Sequence, residues 1–163
     1  TRKESSAASD VYKRQIIYFD HTQLNENIFL YTYINGKKDS IPIKNVQDKN
    51  ILFVPKQSCN VCYDEVYDAL LYARDSLNYD VITITEKEKY NEVRNILHDM
   101  GFKASIYCFD TQSFWQSTSI EYAPFFSYVD KHLKCCHSFI PLPNYPEYSY
   151  LYLRTIIEKY GEK

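Results

Sequence analysis

The chain has 163 residues and a formal net charge of −2, and 45% of its residues are hydrophobic. That length suits one globular domain with a single substantial core and leaves no room for a second. The small net charge gives no electrostatic reason to expect nucleic acid as a partner, and no apolar run approaches the roughly 18 residues of a membrane span.

The first fifteen residues do not look like part of a folded domain. Residues 1–15, TRKESSAASDVYKRQ, are polar and show no hydrophobic periodicity. They resemble translated adapter sequence, so we predict a non-native tail here, with a native disordered tail as the alternative. We expect the domain to span residues 16–163 and the natural N-terminus, with any targeting signal, to lie outside this sequence.

A β-hairpin is predicted at the start of the domain. The segment NIFLYTYI has strand composition, and the Asn35-Gly36 pair that follows is a typical hairpin turn. The segment DSIPI then forms the returning strand, where Pro42 favours an edge position.

A buried strand and a helix follow the hairpin. Residues 50–54, NILFV, form a short continuous apolar run, which is typical of a strand covered on both faces, and Pro55 ends it. From Cys62 onward, apolar residues recur at three- and four-residue spacing and predict a helix: Val66, Leu70, Ala73 and Leu77.

The rest of the chain alternates in the same way. YDVITIT and KASIYCFD are predicted strands, and EKEKYNEVRNILHDMG between them is a helix that ends at Gly101. PFFSYVD and LKCCHSFIP form two antiparallel strands, and a last helix runs from Pro146 to Gly161. Strands separated by helices predict a mixed central sheet with helices on its two faces.

Three stretches occur in an order typical of a known fold: NGKKDSIPI, then ILFVPKQSCNVC, then YAPFFSYVDKHLK about sixty residues after the two cysteines. Over about residues 27–160 the chain resembles the thioredoxin-like superfamily, specifically its redoxin or TlpA-like branch of thiol-disulfide oxidoreductases. The resemblance implies a three-layer α/β fold, with a mixed central sheet flanked by helices and an N-terminal β-hairpin. It favours the cell envelope or periplasm of a bacterium, with the cytoplasm as the alternative. Ser58, Asn60 and Val61 depart from the usual residues of the branch.

Cys59 and Cys62 are the predicted catalytic pair. Thiol–disulfide exchange needs an exposed thiolate and a second thiol close enough to resolve the mixed disulfide, and a CxxC at a helix start supplies both. Cys59, just ahead of the first turn, is the predicted nucleophile, and the more buried Cys62 is the resolving thiol. Asp64 and Glu65 oppose a further negative charge, so we expect a modestly lowered pKa for Cys59 and a reducing pair. This chemistry requires no cofactor and no metal.

The resemblance also assigns a substrate site. It implies that Pro124 is a cis-proline facing the cysteines and that the Ala123 backbone binds an extended substrate segment. An ordinary trans proline at a strand start is the alternative. The expected partners are a protein thiol or disulfide and an unidentified upstream electron donor, and the chain is expected to be monomeric.

Other readings of the cysteines stay open. A zinc site would combine the CxxC with ligands from the second cluster: His132, Cys135, Cys136 or His137. That cluster lies in a predicted strand, where neighbours point to opposite faces, so Cys135 and Cys136 are expected to fill core positions or to form a vicinal disulfide. Cys108 is expected to be a core thiol. A non-catalytic accessory or binding domain of an envelope-associated protein is the rival function.

Overall fold

The structure is a computed structural model that describes residues 22–55, 61–103, 105–109 and 123–161. It contains seven strands: β1 (Phe29–Ile34), β2 (Lys37–Pro42), β3 (Lys49–Val54), β4 (Ile82–Glu86), β5 (Ile106–Phe109), β6 (Phe125–Val129) and β7 (Cys135–Phe139). The α-helices of the described residues are α1 (Val61–Leu77), α2 (Tyr90–Asp99) and α3 (Pro146–Tyr160). Two short 3₁₀ helices, Ile43–Val46 and Lys87–Lys89, lie between them. This order matches the predicted elements.

All seven strands form one mixed sheet in the order β2-β1-β5-β4-β3-β6-β7. The central strands β3, β4 and β5 are parallel to one another, because α1 and α2 carry the chain back between them. The other ladders, including the one between β3 and β6, are antiparallel. Strand β3 is buried from Asn50 to its end, as its continuous apolar run predicted.

The two faces of the sheet have separate apolar cores. One core joins apolar residues of α1, α2 and α3 to the inward side chains of the sheet, among them Val66, Val93 and Leu153. The other core contains Ile43 and Val46 of the first 3₁₀ helix and no residue of an α-helix among the described positions. The mixed sheet with helices packed against it is confirmed. The prediction of helices on both faces differs from the described residues in that all three α-helices pack on one face, and the other face carries the first 3₁₀ helix.

The β1–β2 hairpin has the turn that its sequence predicted. Asn35 and Gly36 have φ values of 50° and 76°, and Ile34 faces Lys37 across the turn. Two consecutive residues with positive φ define a type I′ turn, whose twist matches that of the flanking strands. Pro42 ends β2 at the edge of the sheet, where its missing N–H costs no ladder bond.

None of the helices within the described ranges is both long enough and apolar enough to cross a lipid bilayer.

Candidate functional site

The predicted catalytic pair lies at the junction between β3 and α1. β3 ends at Val54, the buried Pro55 follows, and α1 begins at Val61. Cys59 falls outside the described residues, and Cys62 lies in the first turn of α1 with its side chain outside the description. The helix therefore begins inside the CxxC motif, and the geometry between the two sulfur atoms remains a prediction.

The predicted substrate residues lie beside the end of β3. The antiparallel β3–β6 ladder pairs Phe53 with Phe125, one residue before the end of β3 and at the first residue of β6. Pro124, which is buried, and Ala123, which is half-buried, directly precede Phe125. Extending this register would set Pro124 beside Val54. The start of β6 and the strand that leads to the CxxC thus meet at one end of the sheet.

The expected cis bond before Pro124 is not found. No peptide bond between described residues is cis, so the bond between Ala123 and Pro124 is trans. Trans is the lower-energy isomer of an X–Pro bond by about 0.5–1 kcal/mol. The resemblance to the family suggested the wrong isomer here, and the alternative of a trans proline at a strand start is correct.

Aromatic and acidic side chains surround the first two turns of α1. The rings of Tyr63 and Tyr67 stack with centroids 5.7 Å apart, and Tyr63 is only 5% exposed. Asp64 is exposed and Glu65 is half-buried. Burial, and then the charges of Tyr63, Glu92 and Asp64, raise the pKa of the Tyr67 hydroxyl above its ordinary value. Ionisation of the Tyr67 hydroxyl is therefore disfavoured, chiefly by its burial.

One cation at this position was missed in the sequence. Lys89 ends the 3₁₀ helix after β4, and its Nζ lies 5.7 Å from the centre of the Tyr63 ring. It also forms an ion pair with Glu92 at 2.8 Å, and this bond raises the pKa of Lys89 more than burial lowers it. The segments that follow two parallel neighbouring strands leave the sheet at the same edge. Because β3 leads to the CxxC and β4 leads to Lys89, this rule could have predicted that Lys89 lies near the start of α1.

The remaining cysteines occupy the predicted core positions. Cys108 is 1% exposed, and Cys135 belongs to the core on the face without α-helices. Cys136 packs against the core on the helical face, so these two neighbours point to opposite faces as expected. Among the described residues, no three His, Cys, Asp or Glu side chains come together as a metal site.

The histidines serve different roles. His98 and His132 are exposed. His137 was considered only as a zinc ligand, but its Nε2 lies 3.0 Å from the Tyr160 hydroxyl. A β-bulge, where Ser127 of β6 faces both His137 and Ser138 of β7, and a φ of 53° at His137 accompany this contact. No sequence pattern predicted that bulge.

Known structures with the same architecture were found. A thioredoxin-like protein from Porphyromonas gingivalis superposes with a TM-score of 0.57 and 15% identity, over 88% of this chain and 97% of that one. The thioredoxin domain of a thiol-disulfide oxidoreductase from Bacteroides vulgatus gives 0.57 and 12%, over 87% and 98%. An exposed lipoprotein thioredoxin from Streptococcus pneumoniae gives 0.51 and 15%, over 80% and 98%.

These similarities define the class of fold. At such low identity they show architecture alone, and the chain has a thioredoxin-like fold. The TlpA-like branch is consistent with them. No protein-family model matches the sequence, and no curated protein is significantly similar to it.

Proposed function

We propose that this protein is a thiol-disulfide oxidoreductase that reduces disulfides of protein substrates. The Cys59 thiolate attacks one sulfur of the substrate disulfide, forms a mixed disulfide and displaces the other sulfur as a thiolate. The Cys62 thiolate then attacks Cys59 Sγ, forms the Cys59–Cys62 disulfide and releases the second substrate thiolate. The substrate gains two electrons, which an upstream dithiol donor returns to the pair.

The β3–α1 junction is the observation that carries this proposal. A buried strand ends just before the CxxC, and a 17-residue helix begins within it. The unsatisfied N–H groups and the dipole at a helix start favour a thiolate. The thioredoxin-like fold, shared with oxidoreductases, supports the same chemistry.

Ala123 and Pro124 form the substrate groove in this proposal. Both precede β6 at the end of the sheet toward which β3 runs. The Ala123 backbone would hydrogen-bond an extended substrate segment, as an added strand does. The trans bond before Pro124 changes the direction of that backbone relative to the family's expectation, so the groove rests on the register and not on the isomer.

Insulin reduction by dithiothreitol tests the catalytic assignment. We expect the wild type to accelerate insulin precipitation, Cys59→Ser to abolish the acceleration, and Cys62→Ser to accumulate a mixed disulfide with the substrate. Cys136→Ser is the matched control, because it removes a half-buried thiol from β7. Equal rates for wild type and Cys59→Ser would refute the proposal and favour a non-catalytic accessory domain.

The direction of the reaction has its own measurement. Because acidic groups lie in the first turns of α1, we propose a reducing pair. Equilibration with glutathione should give a potential closer to that of thioredoxin, about −270 mV, than to that of a strong oxidant, about −120 mV. A potential near that of the strong oxidant would contradict the reducing role.

We also propose that the protein faces the cell envelope. The pneumococcal neighbour is an exposed lipoprotein, which supports this location. Fractionation of the source cells, with detection by an antibody against this chain, tests it; recovery in the cytoplasmic fraction alone would refute it.

A further inference from the structure

A cleft opens between the hairpin and α2, where the sheet divides. β1 and β5 are paired at Tyr31 and Cys108, and no later residue of β1 has a ladder partner on β5 within the described ranges. Beyond that pair the strands diverge, and a cavity of about 320 Å³ lies between them. Small-molecule sites have volumes of roughly 300–1,000 Å³, so this cavity is large enough for a small ligand.

Tyr90 holds the walls of this cleft in place. It is 2% exposed, and its hydroxyl accepts a hydrogen bond from the Tyr33 backbone N–H at 3.0 Å. The same hydroxyl lies 3.1 Å from Thr32 Oγ1. The diverging end of β1 is therefore tied to the first turn of α2, and the cleft exists before any ligand arrives.

Opposite charges face the cleft from its two walls. Arg94 lies one helical turn after Tyr90, and Asp39 lies on β2. Within the described part of the chain, Arg94 makes no hydrogen bond or ion pair, and Asp39 uses only Oδ1, which accepts the Ser40 N–H at 2.8 Å. Both residues are exposed at the rim of the cavity and form no ion pair with each other, so each has hydrogen-bonding capacity to spare.

The rest of the lining is largely apolar. Tyr33, Phe102 and Ile106 contribute rings and an aliphatic side chain, and the exposed His98 lies at the far end of the helical wall. A few charged groups beside an apolar lining are the usual composition of a small-ligand site.

We propose that this cleft binds a free α-amino acid with an aromatic or large apolar side chain. Arg94 binds the carboxylate, for which its planar guanidinium is suited, and Asp39 accepts hydrogen bonds from the ammonium group. The apolar lining receives the side chain. A simple anion would satisfy Arg94 but would meet the charge of Asp39, so a zwitterion matches both walls better.

Three probes separate the charges of the ligand: L-phenylalanine, 3-phenylpropanoate without the ammonium, and phenethylamine without the carboxylate. Binding is measured by calorimetry and by backbone amide NMR shifts at Tyr33 and Ser105. We expect L-phenylalanine to bind most tightly. Arg94→Gln should weaken L-phenylalanine and 3-phenylpropanoate about tenfold or more, whereas Asp39→Asn should weaken L-phenylalanine and phenethylamine by a similar factor.

The controls separate a binding site from a structural effect. Asp39→Asn keeps an acceptor for the Ser40 N–H, so the hairpin is preserved. Lys44→Gln and Glu158→Gln remove one exposed charge of each sign outside the cleft and should leave binding unchanged. No binding at about 10 mM, equal binding of the three probes, or no effect of both cleft variants would each overturn the proposal. Binding does not require the cysteines, so it can be measured in Cys59→Ser whatever the outcome of the insulin assay.

Discussion

The charges around the first turn of α1 decide how reactive the proposed pair can be. Asp64 is exposed in that turn, and Lys89 reaches the Tyr63 ring from the segment after β4. Lys89 is already bonded to Glu92, so its charge is partly compensated. Among the described residues of this turn the acids therefore prevail, and under the proposed function the helix start supplies most of the stabilisation of a Cys59 thiolate.

Asp64→Asn should make Cys59 more acidic. Removing an exposed negative charge from the first turn lowers the pKa of Cys59, by less than about one unit because solvent screens the interaction. The same change should slightly decrease the free energy of unfolding, since the acid also stabilises the helix start. Thiolate absorbance against pH measures the first effect. An unchanged or raised pKa of Cys59 in Asp64→Asn would contradict the prediction. Glu158→Gln, which removes an exposed negative charge from α3, is the control.

Asp130 fixes the turn between β6 and β7. Its Oδ1 accepts hydrogen bonds from the backbone N–H groups of His132 at 2.8 Å and Lys134 at 2.9 Å. Partial burial raises the pKa of the Asp130 carboxyl, but these two bonds and the nearby charges favour the carboxylate more, so the net pKa is lowered. The turn is consequently stabilised by the ionised form.

Asp130→Ala should reduce the free energy of unfolding by about 1 kcal/mol at neutral pH, because two backbone donors lose their acceptor. A lowered pKa in the folded state stabilises the protein above the unfolded value of about 3.9, and this contribution is lost as the pH falls below it. Urea unfolding of wild type and variant at several pH values measures the difference. A penalty as large below about pH 3 as at neutral pH would rule out the carboxylate as its source.

At the scale of elements, local patterns predicted most of what is observed. The apolar spacing of α1, the β-branched run of β4 and Pro146 at the start of α3 gave these elements their types and approximate ends. The bulge at His137 was not predictable, because it depends on the fit between β7 and Tyr160 and not on local composition. The position of Lys89 was missed for a similar reason: it requires the order of strands in the sheet.

Gly36 is the residue on which the hairpin turn depends most. Its φ is 76°, and an added Cβ would meet no atom within 4 Å, so a substitution there changes backbone energy alone. Gly36→Ala should lower the free energy of unfolding by about 1 kcal/mol. Gly36→Asn should cost less, because Asn tolerates the left-handed region. Urea denaturation of both variants checks the order, and equal penalties would show that the turn had rearranged.

At the scale of the whole molecule, the open sheet has two edges that are managed differently. On β2, the Ser40 N–H is bonded to Asp39 and Pro42 has no N–H, so few donors remain for another strand. At β7, the Cys135 N–H donates to the Thr22 carbonyl oxygen at 2.8 Å. Just before this strand, Gln23 and Lys134 form an isolated antiparallel β-bridge. Part of each edge thus has no free donor to offer a second chain.

We therefore expect a monomer in solution. Light scattering during size-exclusion chromatography should give the mass of one chain, whereas the double variant Asp39→Ala/Pro42→Val should form dimers or larger species as β2 regains free donors. Pro42→Val alone serves as the intermediate case. A wild-type dimer at the same concentration would show that another surface mediates association.

The sequence could predict this thioredoxin-like architecture because each strand and helix carries its own apolar pattern. It could not supply the isomer of the bond before Pro124, which tertiary contacts decide over a small energy difference. The cleft beside Tyr90 was also invisible, since it arises where β1 and β5 separate and not from any motif.

The narrow connection between the hairpin and the rest of the sheet also bears on how the molecule opens. Tyr31 and Cys108 form the ladder link between β1 and β5 in the described ranges, and the Tyr90 hydroxyl adds a second tie. β1 and β2 should therefore detach as one cooperative unit at a lower free energy than global unfolding. Native-state hydrogen exchange should show faster exchange in the hairpin than in β3, β4 and β6, and Tyr90→Phe should widen that gap. Uniform protection across all strands would contradict this.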